Sequence, residues 1–141
     1  MFATLNNPVA AYSRAGVEMK TETASPHELV LMLYDGALSA IASATHHMYT
    51  GNIAGKGEAL SKAIEIIENG LKACLDYRSG GELAERLGAL YEYMSSRLLH
   101  ANLRNDKAAL DEVSGLLREL KQAWQEISDD SAVVSATKAA A

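Results

Sequence analysis

Both prolines of the chain, Pro8 and Pro26, fall near its start, and nothing after Pro26 forbids long uninterrupted helices. The second proline sits in Ser25-Pro26-His27-Glu28. That order puts a hydroxyl at the N-cap, proline at the first helical position and glutamate at the third. Ser25 then accepts a bond from an orphan N–H while Glu28 reaches back to the cap. A helix follows to about Thr50, closed by Gly51-Asn52. Ile53, Leu60, Ile64, Ile67, Leu71 and Leu75 recur at helical spacing and predict a second helix over 53–77, ended by Ser79-Gly80-Gly81. A third, over 82–104, carries Leu83, Leu87, Leu90, Tyr91, Met94, Leu98 and Ala101 on one side. Asn105-Asp106 turns the chain into a fourth, over 107–127, with Leu110, Val113, Leu117, Leu120, Trp124 and Ile127 inward. Period-two alternation of β-branched residues, the mark of a strand, does not occur.

Turns this short cannot carry a chain back along a ~30 Å helix, so successive helices reverse direction. The predicted fold class is all-α: an antiparallel up-down four-helix bundle over 25–128 with a short N-terminal helical leader. The leader, 1–24, has Tyr12 and Val17 as apolar anchors and room for a short helix over 8–19 that caps a groove. Residues 129–141 are small and low in complexity, and read as a mobile tail.

The 141 residues suit a single domain, and the net charge of -5 offers no general attraction to nucleic acid or anionic lipid. One cysteine, Cys74, permits no intrachain disulfide and fits a reducing compartment. The first residues lack the basic start and apolar run of a secretory signal. No stretch approaches the ~18 consecutive apolar residues of a bilayer span. The reading is a cytoplasmic protein with no membrane insertion and no nucleic-acid partner.

Apolar residues exceed what one core stripe per helix needs. The first helix adds Leu31, Tyr34, Leu38, Ala42 and Tyr49 beside its main stripe. The second adds a lane of mostly small residues, Ala59, Ala63, Ile66, Gly70 and Ala73, then Tyr77. The third adds Leu99 and Leu103. A surplus of this kind receives an amphipathic helix from a partner. The competing reading is internal: a central first helix surrounded by its neighbours, and a lane that packs the leader. On the docking reading the partner-binding residues are Tyr12, Val17, Leu31, Tyr34, Leu38, Ala59, Ala63, Ile66, Gly70, Tyr77, Leu99 and Leu103.

Catalytic and metal chemistry find no support. Glu-x-x-His, the ligand pattern of metal-binding bundles, does not occur. His46 and His47 are adjacent, so their rings diverge by about 100° on a helix. Cys74 has no base placed beside it by any motif, and no phosphate-binding glycine loop is present. No cofactor is expected.

Several motifs fall together in order. Thr23-Ala24-Ser25-Pro26-His27-Glu28-Leu29, continuing to Met32-Leu33-Tyr34-Asp35-Gly36-Ala37, resembles the signature of the flagellar export chaperone family FliS. Gly80-Gly81-Glu82-Leu83-Ala84, Leu90-Tyr91-Glu92-Tyr93-Met94, Leu98 with Ala101-Asn102, and a closing segment with Leu117, Leu120 and Trp124 extend the resemblance over 8–128. The resemblance implies an antiparallel helical bundle that binds the disordered C-terminal segment of flagellin in the cytoplasm. It implies that binding prevents premature polymerisation and delivers flagellin to the flagellar type III export gate. The family's N-terminal anchors fall on Tyr12 and Val17. A self-associating helical adaptor of the flagellar system is the alternative, with monomer and weak homodimer both open; an enzyme ranks third, for want of a ligand motif.

Overall fold

The computed structural model describes residues 25–127. The expected leader with Tyr12 and Val17, and the expected tail over 129–141, lie outside the described residues. Within them are four long helices and no strand: α1 (Pro26–Thr50), α2 (Ile53–Ile66), α3 (Tyr77–Arg104) and α4 (Lys107–Gln125). The start of α1 follows the sequence reading. Ser25 Oγ accepts from the Glu28 N–H at 3.1 Å, and the Ser25 N–H donates to the Glu28 carboxylate at 3.1 Å. Removing a cap of this kind costs about 1 kcal/mol. The helix ends at Gly51, whose left-handed φ of 74° lets its N–H return to the last turn.

Cross-helix pairs fix the topology. His27 meets Trp124 and Asp35 meets Lys121, so α1 and α4 are antiparallel. Lys56 meets Asn102 while Lys72 meets Glu92, so α2 and α3 are antiparallel. Arg97 meets Glu112 and His100 meets Asp106, so α3 and α4 are antiparallel. The result is the predicted up-down bundle. One end holds the Gly51 and Asn105 turns. There Lys56, 6% exposed, donates to the Asn102 carbonyl and the Asn105 side chain, at 3.1 and 2.8 Å. Its ammonium thus satisfies the end of α3, where carbonyls lack partners and the dipole is negative.

The second helix departs from expectation. It is not one rod over 53–77. After Ile66 the chain makes a π turn (Ile67–Leu71), then a 3₁₀ turn (Lys72–Cys74), and opens at Leu75. The reason is legible in the buried pairs Ile66-Ile67, Gly70-Leu71 and Cys74-Leu75, which repeat every four residues. On an α-helix of 3.6 residues per turn that repeat drifts about 40° per step, and a wider turn keeps the pairs inward. Asp76 then caps a new helix, accepting from the Arg78 and Ser79 N–H groups. Tyr77 therefore opens α3 rather than closing the second helix. Gly80-Gly81 does break the helical path, as the sequence predicts: Gly81 takes the non-helical φ 53° and ψ −129°, a conformation that side chains resist, so α3 is a short turn from Tyr77 followed by a long helix beyond Gly81.

The lane of small residues on α2 is filled from inside. Ala59, Ala63 and Ile66 are buried in the core cluster, and Gly70 faces Leu33 so closely that a Cβ there would stand 3.0 Å from the leucine methyl. Small side chains let α1 settle onto α2, so the lane packs the first helix rather than the leader that the internal reading assigned to it. By length and composition α1 is apolar enough to cross a membrane, but Leu29, Leu33, Ala37, Ile41 and Ala44 spend that apolarity on the core. Ile66 is 0% exposed. Ile66→Ala is expected to cost about 2–5 kcal/mol, read as a lowered urea midpoint, because a filled site becomes a cavity. An unchanged midpoint would return the lane to the surface.

Candidate partner-binding groove

Four helices make four seams, and one of them is partly open. Near the Gly51 and Asn105 turns, α3 and α4 are tied together: Tyr93 donates to one oxygen of Glu112, and Arg97 donates to the other at 2.8 Å. Farther down, nothing large crosses. Leu83, Leu87 and Leu90 of α3 and Leu116 and Leu120 of α4 are only half-buried, packed against the core from outside. Ala123, exposed at the groove edge on the α4 side, is too short to bridge them.

At the lower end this seam deepens into an apolar cavity of about 200 Å³. Leu83, Leu87, Leu120 and Ile127 line it from the α3 and α4 sides, and Val30, Leu71 and Leu75 from the rest. Its polar atoms are few and engaged. The Tyr34 and Tyr91 hydroxyls bond each other at 2.6 Å. Burial pushes the Tyr34 phenol up to about 12 and the Tyr91 phenol well above its ordinary value, so both stay neutral. Trp124 closes the far side through a reciprocal clasp. Its Nε1–H donates to the His27 carbonyl at 2.9 Å, its own carbonyl accepts from His27 Nε2 at 2.7 Å, and the rings stack 5.0 Å apart. The clasp joins the start of α1 to the end of α4. A wider hollow of about 540 Å³ lies beside Lys72 and Arg78, but its charged lining suits no apolar helix.

The sequence-predicted site residues scatter over this frame. Ala59, Ala63, Ile66 and Gly70 are buried in the core, and Tyr34 is buried too but lines the floor of the groove cavity. Tyr34 is inside because its hydroxyl needs Tyr91, and the other four because α1 covers them. Tyr77 borders the charged hollow and lies over Gly88, where a Cβ would collide with its hydroxyl. Leu31 and Leu38 are half-buried on α1. Leu99 and Leu103 are 56% and 84% exposed, on the side of α3 turned away from the groove. The groove leucines themselves were read from sequence as plain core. One signal marked them: Leu116-Leu117 is an adjacent pair, and one member must leave a single stripe. On α3 the buried positions went instead to Ala84 and Gly88, leaving the larger leucines at the rim.

Comparison with known proteins settles the family. The model for "Flagellar protein FliS" matches residues 8–131. The chain belongs to the FliS family. It is 53% identical over 120 residues to the flagellar secretion chaperone FliS of Salmonella typhimurium, covering 85% of this chain and 89% of that one. It is also 53% identical over 116 residues to the Escherichia coli protein of that name, covering 82% and 85%. The Bacillus subtilis FliS is 38% identical over 122 residues, covering 86% of each chain. FliS is a family of chaperones, not of enzymes.

The tyrosine pair gives a direct test of the groove floor in this FliS-family chain. Tyr91→Phe leaves the buried Tyr34 hydroxyl without its partner and is expected to cost about 1–3 kcal/mol. Replacing both with Phe should cost less than the sum of the singles, in a double-mutant cycle of urea melts. The raised phenols also set a pH limit. Unfolded tyrosine loses its proton near pH 10, so the stabilisation is whole below that and is lost as pH rises toward about 12. Absorbance of phenolate should show Tyr34 and Tyr91 ionising only as the chain unfolds.

Proposed function

We propose that this chain is a cytoplasmic export chaperone that binds the C-terminal helical segment of flagellin in the groove between α3 and α4. The observation that carries the proposal is a seam walled by half-buried leucines and open to about 200 Å³ of apolar space, in a chain whose relatives are named flagellar secretion chaperones. A segment that later packs into a filament core is amphipathic and adheres to others of its kind. Covering its apolar face prevents premature polymerisation. Folding it on the chaperone costs ordering entropy, which keeps affinity moderate and release feasible at the flagellar type III export gate.

The leader, 1–24, is proposed to cap the groove through Tyr12 and Val17 until flagellin displaces it. Its last residue adjoins the Ser25 cap, at the end of the bundle where the cavity lies. Leu31, Leu38, Leu99 and Leu103 are proposed as contacts for stretches of the segment that run beyond the groove. The rival reading, a self-associating adaptor, would use the exposed Leu99 and Leu103 between copies.

Titration with the C-terminal segment of flagellin from the same organism tests the proposal. Saturable binding with gained helicity and a negative heat-capacity change is the expected result. Leu87→Glu should weaken binding at least about tenfold, about 1.4 kcal/mol, with the melting temperature nearly unchanged. Retained affinity in both Leu87→Glu and Leu120→Glu would remove the groove from the account. A tight dimer at every concentration in sedimentation would favour self-association.

A further inference from the structure

The groove has an electrostatic side as well as an apolar one. Glu112 and Glu119 on α4 and Glu126 at its C-cap are exposed at intervals of seven residues, so they lie within about 40° of one another around the helix axis. The first shows what this line of carboxylates accepts. Glu112 takes an N–H from Arg97 and the hydroxyl proton of Tyr93, both from the neighbouring α3, and these bonds hold its carboxyl below the ordinary value. The next two have no such neighbour. Arg86, the cation of the adjoining stretch of α3, is engaged with Glu82 on its own helix at 3.5 Å. Among the described residues neither Glu119 nor Glu126 forms an ion pair. The seam is therefore closed by a helix-to-helix ion pair where Glu112 stands, and open where Glu119 and Glu126 stand.

We infer that the groove selects a helix whose apolar face is flanked on one side by two cationic residues about seven apart. Seated on the leucines, such a helix repeats at Glu119 and Glu126 the contact that Arg97 makes with Glu112. From Leu116 to Ile127 the groove runs along about 16 Å of α4, enough for three turns of a partner helix, which places both cations within reach. The inference rests on the groove being the docking site, and it names the chemistry of what docks there. Exposed pairs are individually weak, about 0.2–1 kcal/mol each and screened by salt, so the effect is one of selection and alignment added to apolar burial.

Three helical peptides with one leucine face and lysine, glutamine or glutamate at the flanking positions test this, with flagellin's own segment run in parallel. At low ionic strength the lysine peptide should bind the protein roughly tenfold more tightly than the glutamate peptide, and salt near 1 M should erase the difference. In the E119K/E126K variant, whose exposed changes leave the fold intact by circular dichroism, the order should invert. Equal affinities at low salt, an order indifferent to E119K/E126K, or no binding of any peptide would overturn the inference. A lysine preference alongside no binding of the flagellin segment would keep the inference and remove flagellin as the occupant.

Discussion

Leu33 rests on Gly70, and the rest of the bundle is arranged around that contact. The lane of Ala59, Ala63 and Gly70 lets α1 lie deep against α2. Depth on one seam is bought with slack on another. With α1 drawn toward α2, α4 is held to α1 by the Trp124 and His27 clasp and by Lys121 with Asp35. α3 is then left to meet α4 through leucines that neither helix fully covers. The π turn belongs to the same constraint, because it keeps Ile66, Ile67, Gly70 and Leu71 all facing the seam that α1 fills.

Much of this was legible in the sequence. The capping box, the Gly51 stop and the Asn105-Asp106 turn are local chemistry, and local chemistry determined those boundaries. The second helix differs from its expected course because its apolar residues fit a period of 3.6 about as well as a period of four. Only the packing of Gly70 on Leu33 separates the two. Ser79-Gly80-Gly81 is a louder sequence signal than Asp76, yet the aspartate sits where two N–H groups need an acceptor.

The candidate site was harder to read. Periodicity shows how wide an apolar stripe is, not which edge of it a neighbour will cover. It therefore assigned Ile66 to the surface and Leu87 to the core, when the structure buries the first and leaves the second half-open. The deciding quantity is residue size across the seams: small residues on α2 admit a helix of the same chain, while Ala123 leaves the groove edge on α4 open. Leu99 and Leu103 were identified correctly as surplus, since no neighbour covers them among the described residues.

The central claim is that the open seam between α3 and α4, and not the lane on α2, receives the partner. Amide hydrogen exchange of the full chain, with and without the flagellin segment, tests it most directly, because exchange reports local opening residue by residue. The account predicts added protection along 83–91 and 116–127, with the amides from Ala59 to Gly70 already protected and unchanged. New protection confined to 59–70, with none along the groove, would contradict it.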